Sequence, residues 1–112
     1  MANKIEVTVI DNSEMTLRQK QKAVAQALYV CGGMAEGFAK LDCPVDTGNL
    51  RNSISHTETE DMAIVGTNVE YAPYVEYNDN AHHDVGKAHF LRDSIATNLD
   101  EYKDIIKSYL EG

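Results

Sequence analysis

Asp46-Thr47-Gly48 is the tripeptide that carries the activated aspartate of aspartic proteases, and it lies within Cys43 to Ile54, the densest turn chemistry in the chain. That reaction needs two such carboxylates sharing a proton, so 112 residues would have to supply them as a homodimer. It also needs each aspartate on a rigid apolar strand braced by a second, glycine-bearing strand. Here the triplet follows a helical pattern and Cys43-Pro44, and Asn49-Leu50-Arg51 comes after it. A turn satisfies the same residues without catalysis. The Asp46 and Thr47 side chains can accept backbone N–H groups, and Gly48 is free to take a positive φ. Pro44, Asp46, Thr47, Gly48 and Leu50 therefore read as a structural corner, with a dimeric aspartic peptidase as the alternative from another class.

The histidines are the next chemical candidates. His82, His83, Asp84 and His89 fall within eight residues, with His56 far off in the chain. Imidazole and carboxylate suit zinc or nickel, but adjacent histidines tend to point apart, and no further ligand stands at helical spacing. The segment reads as a solvated loop, and neither metal nor cofactor is expected. Cys31 and Cys43 form no Cys-x-x-Cys pair and read as free thiols in a reducing cytoplasm. The chain has no phosphate-cradling glycine loop or nucleophile elbow, and no histidine is placed to activate Ser53 or Cys31. The expectation is a protein without catalytic residues.

Tyr71, Tyr74 and Tyr77 are three of the chain's six tyrosines, spaced three apart beside Glu70 and Glu76. Tyrosine buries area at low entropic cost while its hydroxyl finds a partner, which favours interfaces; ordinary core packing accounts for the same spacing. Tyr71, Tyr74, Glu76 and Tyr77 are the interface candidates, with at least one tyrosine expected at a subunit contact.

The elements that position these residues follow from periodicity. Ile5, Val7 and Val9 alternate with Glu6, Thr8 and Ile10, which predicts a strand over 4–10. Thr16 and Gln19 fit a capping box, and Ser13 is an equal candidate for the cap. Leu17, Val24, Leu28, Cys31, Ala35 and Phe38 then share one helical face, predicting a helix from about 14 to 41 that Pro44 forces to end. Gly32-Gly33 interrupts it, as a kink, a close crossing or a hinge, at about 1 kcal/mol per glycine.

Leu50, Ser53 and Ile54 are expected to lead into a strand. Glu58 to Asp61 reads as an acidic hairpin tip, and Met62 to Val65 as the returning arm, ended by Gly66-Thr67-Asn68. Region 44–77 is thus strand and turn, with 71–77 open between an edge strand and a helical turn started at Pro73. A polar loop over 78–88 precedes one C-terminal helix over about 89–110 carrying Phe90, Leu91, Ile95, Leu99, Tyr102, Ile106 and Tyr109. The predicted fold is α+β, a single domain over 1–112 with a small antiparallel sheet packed by a long N-terminal helix and a C-terminal helix. Leu28, Phe38, Ile54, Phe90, Leu91 and Ile95 are its expected core.

Composition limits the partners. The formal charge is −8, and all the excess acid lies after residue 40. Without a basic stripe to displace counterions from phosphates, direct or sequence-specific nucleic-acid binding is not expected. The apolar share of 43% is ordinary globular usage, and no apolar run approaches the roughly 20 residues that span a bilayer. The first residues lack the basic-then-apolar shape of a signal peptide, so no membrane association is expected.

The order of motifs resembles a known family. After the long helix come Pro44-Val45-Asp46-Thr47-Gly48-Asn49-Leu50-Arg51-Asn52-Ser53-Ile54 and then Val65-Gly66-Thr67-Asn68. Tyr71-Ala72-Pro73-Tyr74-Val75-Glu76-Tyr77 and Ala88-His89-Phe90-Leu91-Arg92 complete the series. Over roughly residues 14 to 110 this resembles the small tail-component family of long-tailed bacteriophages, the "gene product ten" type of neck or tail-completion protein. The chain departs from the family at Asn78, where glycine is usual, and at His89, where proline is usual. The resemblance implies a non-enzymatic virion protein joining a DNA-filled head to a tail. It implies assembly in the host cytoplasm and several copies in a homo-oligomeric ring around the tail axis. Head-completion and tail-terminator or tail-tube proteins would be its neighbours. A tail-terminator or assembly component elsewhere on the tail is the alternative within the same class. An acidic surface facing the DNA path would suit passage better than grip.

Overall fold

The computed structural model describes residues 2–7, 16–44, 48–69, 76 and 89–111. In chain order these form β1 (Ala2–Glu6), α1 (Leu17–Asp42), α2 (Gly48–Ser53), β2 (Ser55–Glu58), β3 (Met62–Gly66), α3 (Phe90–Ala96) and α4 (Leu99–Leu110). The strands make one antiparallel sheet in the order β1-β3-β2. The fold is α+β, a three-stranded sheet packed by the long N-terminal helix and the C-terminal helices.

α1 begins where its side chains can satisfy its first amides. Thr16 Oγ1 accepts the Gln19 N–H at 3.2 Å and Gln19 Oε1 accepts the Thr16 N–H at 3.0 Å, the reciprocal capping box. It ends at Cys43, whose N–H reaches the Ala39 carbonyl at 2.9 Å, immediately before the buried Pro44. Between these ends Val24, Leu28, Cys31, Ala35 and Ala39 form a fully buried stripe. Leu17, predicted to join it, is 64% exposed because it opens the first turn, while Lys20 one turn later is 2% exposed.

Gly32 and Gly33 produce no break: α1 is one helix of 26 residues. Gly32 marks a close approach of helix to sheet instead. Directly paired residues share a sheet face, so His56 opposite Val65 and Glu58 opposite Ala63 lie on the side facing α1. A Cβ at position 32 would stand 2.8 Å from His56 Nδ1, whereas one at Gly37 would meet nothing within 4 Å.

Three predicted elements differ from the structure. The strand predicted over 4–10 is β1 over Ala2–Glu6, with the Val7 N–H bonded to the Asp61 carbonyl at 2.8 Å; residues 8–10 lie outside the described set. Asn49 to Ser53 is helical rather than the approach to a strand. Leu50 and Ile54, four apart, are both buried, and Ser53 Oγ donates to the Leu50 carbonyl at 2.7 Å, which is helical logic. The C-terminal helix is two helices broken at Thr97-Asn98. There Asn98 Nδ2, at 3.3 Å, and the Tyr102 hydroxyl take the Ser94 carbonyl while the Asn98 N–H turns to the Ile95 carbonyl at 3.2 Å, and the Thr97 hydroxyl adds a second bond, at 2.6 Å, to the Asp93 carbonyl.

α3 and α4 both pack on α1, and α3 also reaches β1. Leu28, Ile54, Phe90 and Leu91 are buried, while Phe38 and Ile95 are partly buried and pack against the same core. Tyr102 is fully buried, and its hydroxyl donates to the Ser94 carbonyl at 2.5 Å, tying α4 to α3. Cys31 Sγ approaches the Tyr102 carbonyl at 3.9 Å, tying both to α1.

Two predictions follow from this packing. Gly37→Ala, in open space, should stabilise the chain by up to about 1 kcal/mol in urea titration. Gly32→Ala should lose that gain to the His56 contact, and equal gains at both positions would refute the close approach. The second concerns alkali. Burial raises the Cys31 thiol from 9.0 to about 11 and raises Tyr102 well above its ordinary 10.0, with Cys31 and Glu101 charges adding to the latter. The unfolded chain therefore gives up these protons first, so stability is full below about pH 9 and falls as pH rises toward 11. In Cys31→Ala the fall should begin nearer pH 10; an identical onset in both proteins would remove Cys31 as the cause.

Candidate functional site

Glu76 is 1% exposed and does not face solvent as an interface residue would. Its Oε1 accepts the Leu91 N–H at 2.8 Å and its Oε2 the Arg92 N–H at 3.0 Å. These are orphan donors of the first turn of α3, where a carboxylate also complements the helix dipole. Its carbonyl accepts the His89 N–H at 2.8 Å, so residue 76 holds the chain at three successive points. Within the single chain Glu76 acts as a buried clamp, its carboxylate occupied by backbone amides.

His89 explains why a distant residue does this work. It occupies the N-cap position of α3 with φ 60° and ψ 26°, the left-handed region, and its side chain makes no capping bond. A residue in that conformation cannot be replaced by proline, whose ring fixes φ near −65° and which lacks the N–H given to Glu76. The proline expected before Phe90-Leu91 is absent here, and Glu76 sets the helix start instead.

The corner after α1 is braced in parallel. Cys43 and Pro44 are buried, Gly48 opens α2, and Leu50 is fully buried. The Ser53 and Thr67 hydroxyls hydrogen-bond to one another, and Thr67 Oγ1 accepts the Val69 N–H at 3.1 Å. The end of α2 is thereby fastened to the chain leaving β3. Asp46 and Thr47 lie outside the described residues, as do Tyr71, Tyr74, Tyr77, the loop over 78–88, and His82, His83 and Asp84.

His56, the one histidine read as isolated, has a defined setting. Its Nδ1 lies 3.0 Å from Glu58 Oε1, and the ring of Tyr29 meets it edge-on with centroids 5.8 Å apart. This group couples β2 to α1. Among the described residues no group of three His, Cys, Asp or Glu side chains is arranged to hold a metal ion. No helix of the described residues is long and apolar enough to cross a membrane.

The surface carries the remaining candidates. Tyr29 is 66% exposed and Tyr109 37%, and both line a shallow groove with Lys22, Ala25, Gln26 and Val30. Glu60 and Asp61 are exposed at the hairpin tip. Sequence reading missed the groove because Tyr29 and Tyr109 are eighty residues apart and meet only through packing of α4 on α1.

Residues 8–77 match the family model described as "Bacteriophage HK97-gp10, putative tail-component". No curated protein and no solved structure matches the chain.

Replacing Glu76 by alanine should destabilise the isolated chain by about 2–3 kcal/mol, from two lost carboxylate–amide bonds and a lost helix cap. His89→Pro should also destabilise, since proline can neither take the left-handed backbone nor give the N–H that Glu76 accepts. Unchanged urea midpoints for Glu76→Ala would refute the clamp.

Proposed function

Because the chain belongs to the bacteriophage HK97-gp10-like family of tail components, we propose that it is a neck, or tail-completion, protein of a tailed phage or prophage. It is a structural tail component of a phage virion. In that role it joins the filled head to the tail through protein–protein contacts, without catalysis. The family match over 8–77 carries this reading, since it spans α1, the corner and the hairpin that organise the fold.

The physical features agree with such a role. A joining protein needs a rigid body that holds separate contact surfaces at fixed angles. Here α1 is braced by the sheet and by α3 and α4, and side-chain hydrogen bonds lock the corners. Several copies arranged head to tail around the tail axis would close into a ring if their rotation divides a full circle. Head-completion and tail-terminator or tail-tube proteins would contact the two rims. Assembly would take place in the host cytoplasm before incorporation into the virion. The net charge of −8 argues against gripping DNA that passes nearby.

A phage carrying an amber mutation in this gene should accumulate filled heads and full-length tails that fail to join, as seen by electron microscopy of lysates. Tails of uncontrolled length would instead assign the chain to tail termination. Asp46→Asn supplied in trans should restore infectious particles; failure together with lost pepstatin-sensitive peptide cleavage would favour the peptidase reading.

A further inference from the structure

We propose that copies of this chain bind one another by seating the acidic hairpin tip of one, at Glu60 and Asp61, in the basic aromatic groove of the next, at Lys22, Tyr29 and Tyr109. This rests on the ring reading above and names the surfaces that would build it.

Charge complementarity selects the occupant. In a chain of net charge −8, the stretch Thr16 to Ala35 contains no acidic residue and exposes Arg18 and Lys22, while Lys20 is buried on the face toward the tip. Arg18 and Lys22 are exposed one turn apart on the same stripe as Ala25 and Tyr29. Beside them the groove floor is apolar and aromatic, with Ala25, Tyr29, Val30 and Tyr109. Exposed tyrosines are among the residues that anchor protein contacts, and Lys22 at the groove edge supplies the charge that would meet an acidic partner. The tip supplies the converse, two exposed carboxylates followed by the half-buried Met62. Glu58, the third acid of the hairpin, turns to His56 on the α1 side of the sheet and leaves Glu60 and Asp61 to define the outer surface.

Geometry selects a head-to-tail contact. Within one molecule the tip lies against Leu17, Lys20, Gln21 and Val24, whereas the groove is bounded on α1 by Lys22, Ala25, Gln26, Tyr29 and Val30. At 3.6 residues per turn these two sets are on the order of 150° apart around the α1 axis. A chain that carries complementary patches on nearly opposite sides of one helix cannot satisfy its own groove with its own tip. It can satisfy that of a neighbour, and the operation repeats from copy to copy.

Charge reversal tests this in the purified chain by sedimentation velocity across concentration and ionic strength. The native chain should self-associate, more weakly as salt rises. Lys22→Glu and Glu60→Lys should each weaken association by at least about tenfold. An equimolar mixture of the two variants, and the double variant alone, should recover it, because each restores opposite charges across the contact. Lys22→Gln and Glu60→Gln serve as neutral versions if circular dichroism shows that a reversal disturbs folding. Native oligomers that both reversals leave intact, or single defects that neither the mixture nor the double variant repairs, would overturn the contact while leaving the ring. A native chain that is monomeric at every concentration would overturn the contact and the ring together.

Discussion

The buried stripe of α1, Val24-Leu28-Cys31-Ala35, is what the sheet and the two C-terminal helices have in common. β2, β3, α3 and α4 all pack on that helix, and α3 also packs directly on β1. The small residues Gly32 and Ala35 let the backbone come close to the sheet, and the His56 ring fills the space a side chain at 32 would need. A helix that continues unbroken through two glycines is the consequence. Their intrinsic cost to helix formation is offset by tertiary contact.

The same dependence on distant partners appears at α3. Seven residues beginning at a left-handed histidine make a poor helix by themselves, and nucleation of so short a segment is unfavourable in water. A carboxylate from Glu76 supplies the acceptors that the local N-cap lacks, and Tyr102 from α4 holds the other end through the Ser94 carbonyl. α3 is therefore held as part of a three-way joint rather than as an independent element. The link between Ser53 and Thr67 does the corresponding work at the corner that follows α1.

For a protein of this family, these joints matter more than any single reactive group. A virion component transmits position between neighbours, and buried polar contacts that admit one arrangement serve that purpose. Among the described residues, burial raises the proton affinities of Cys31 and Tyr102, so both stay neutral further into alkali than free side chains would. The charges left outside are segregated, with a basic aromatic stripe on the first half of α1 and carboxylates at the hairpin tip.

Much of the fold is legible from local pattern. The capping box at Thr16 and Gln19, the helix face through Val24, Leu28, Cys31 and Ala35, the stop at Pro44 and the acidic hairpin tip are short-range facts. Each depends on residues within one or two turns of one another. The family resemblance rests on the same property, since it is an order of local motifs. Other features were decided only by tertiary structure. Leu50, Ser53 and Ile54 already had helical spacing, yet Gly48–Ser53 became a helix beside a core that must take both Leu50 and Ile54. Thr97-Asn98 broke the last helix because its side chains could turn to nearby carbonyls while Tyr102 packed beneath them. Glu76, thirteen residues before His89, is buried where its carboxylate accepts the first amides of α3, which the His89 side chain does not cap. Local spacing says which side chains share a face; only the packed chain determines which backbone groups must be satisfied from far away.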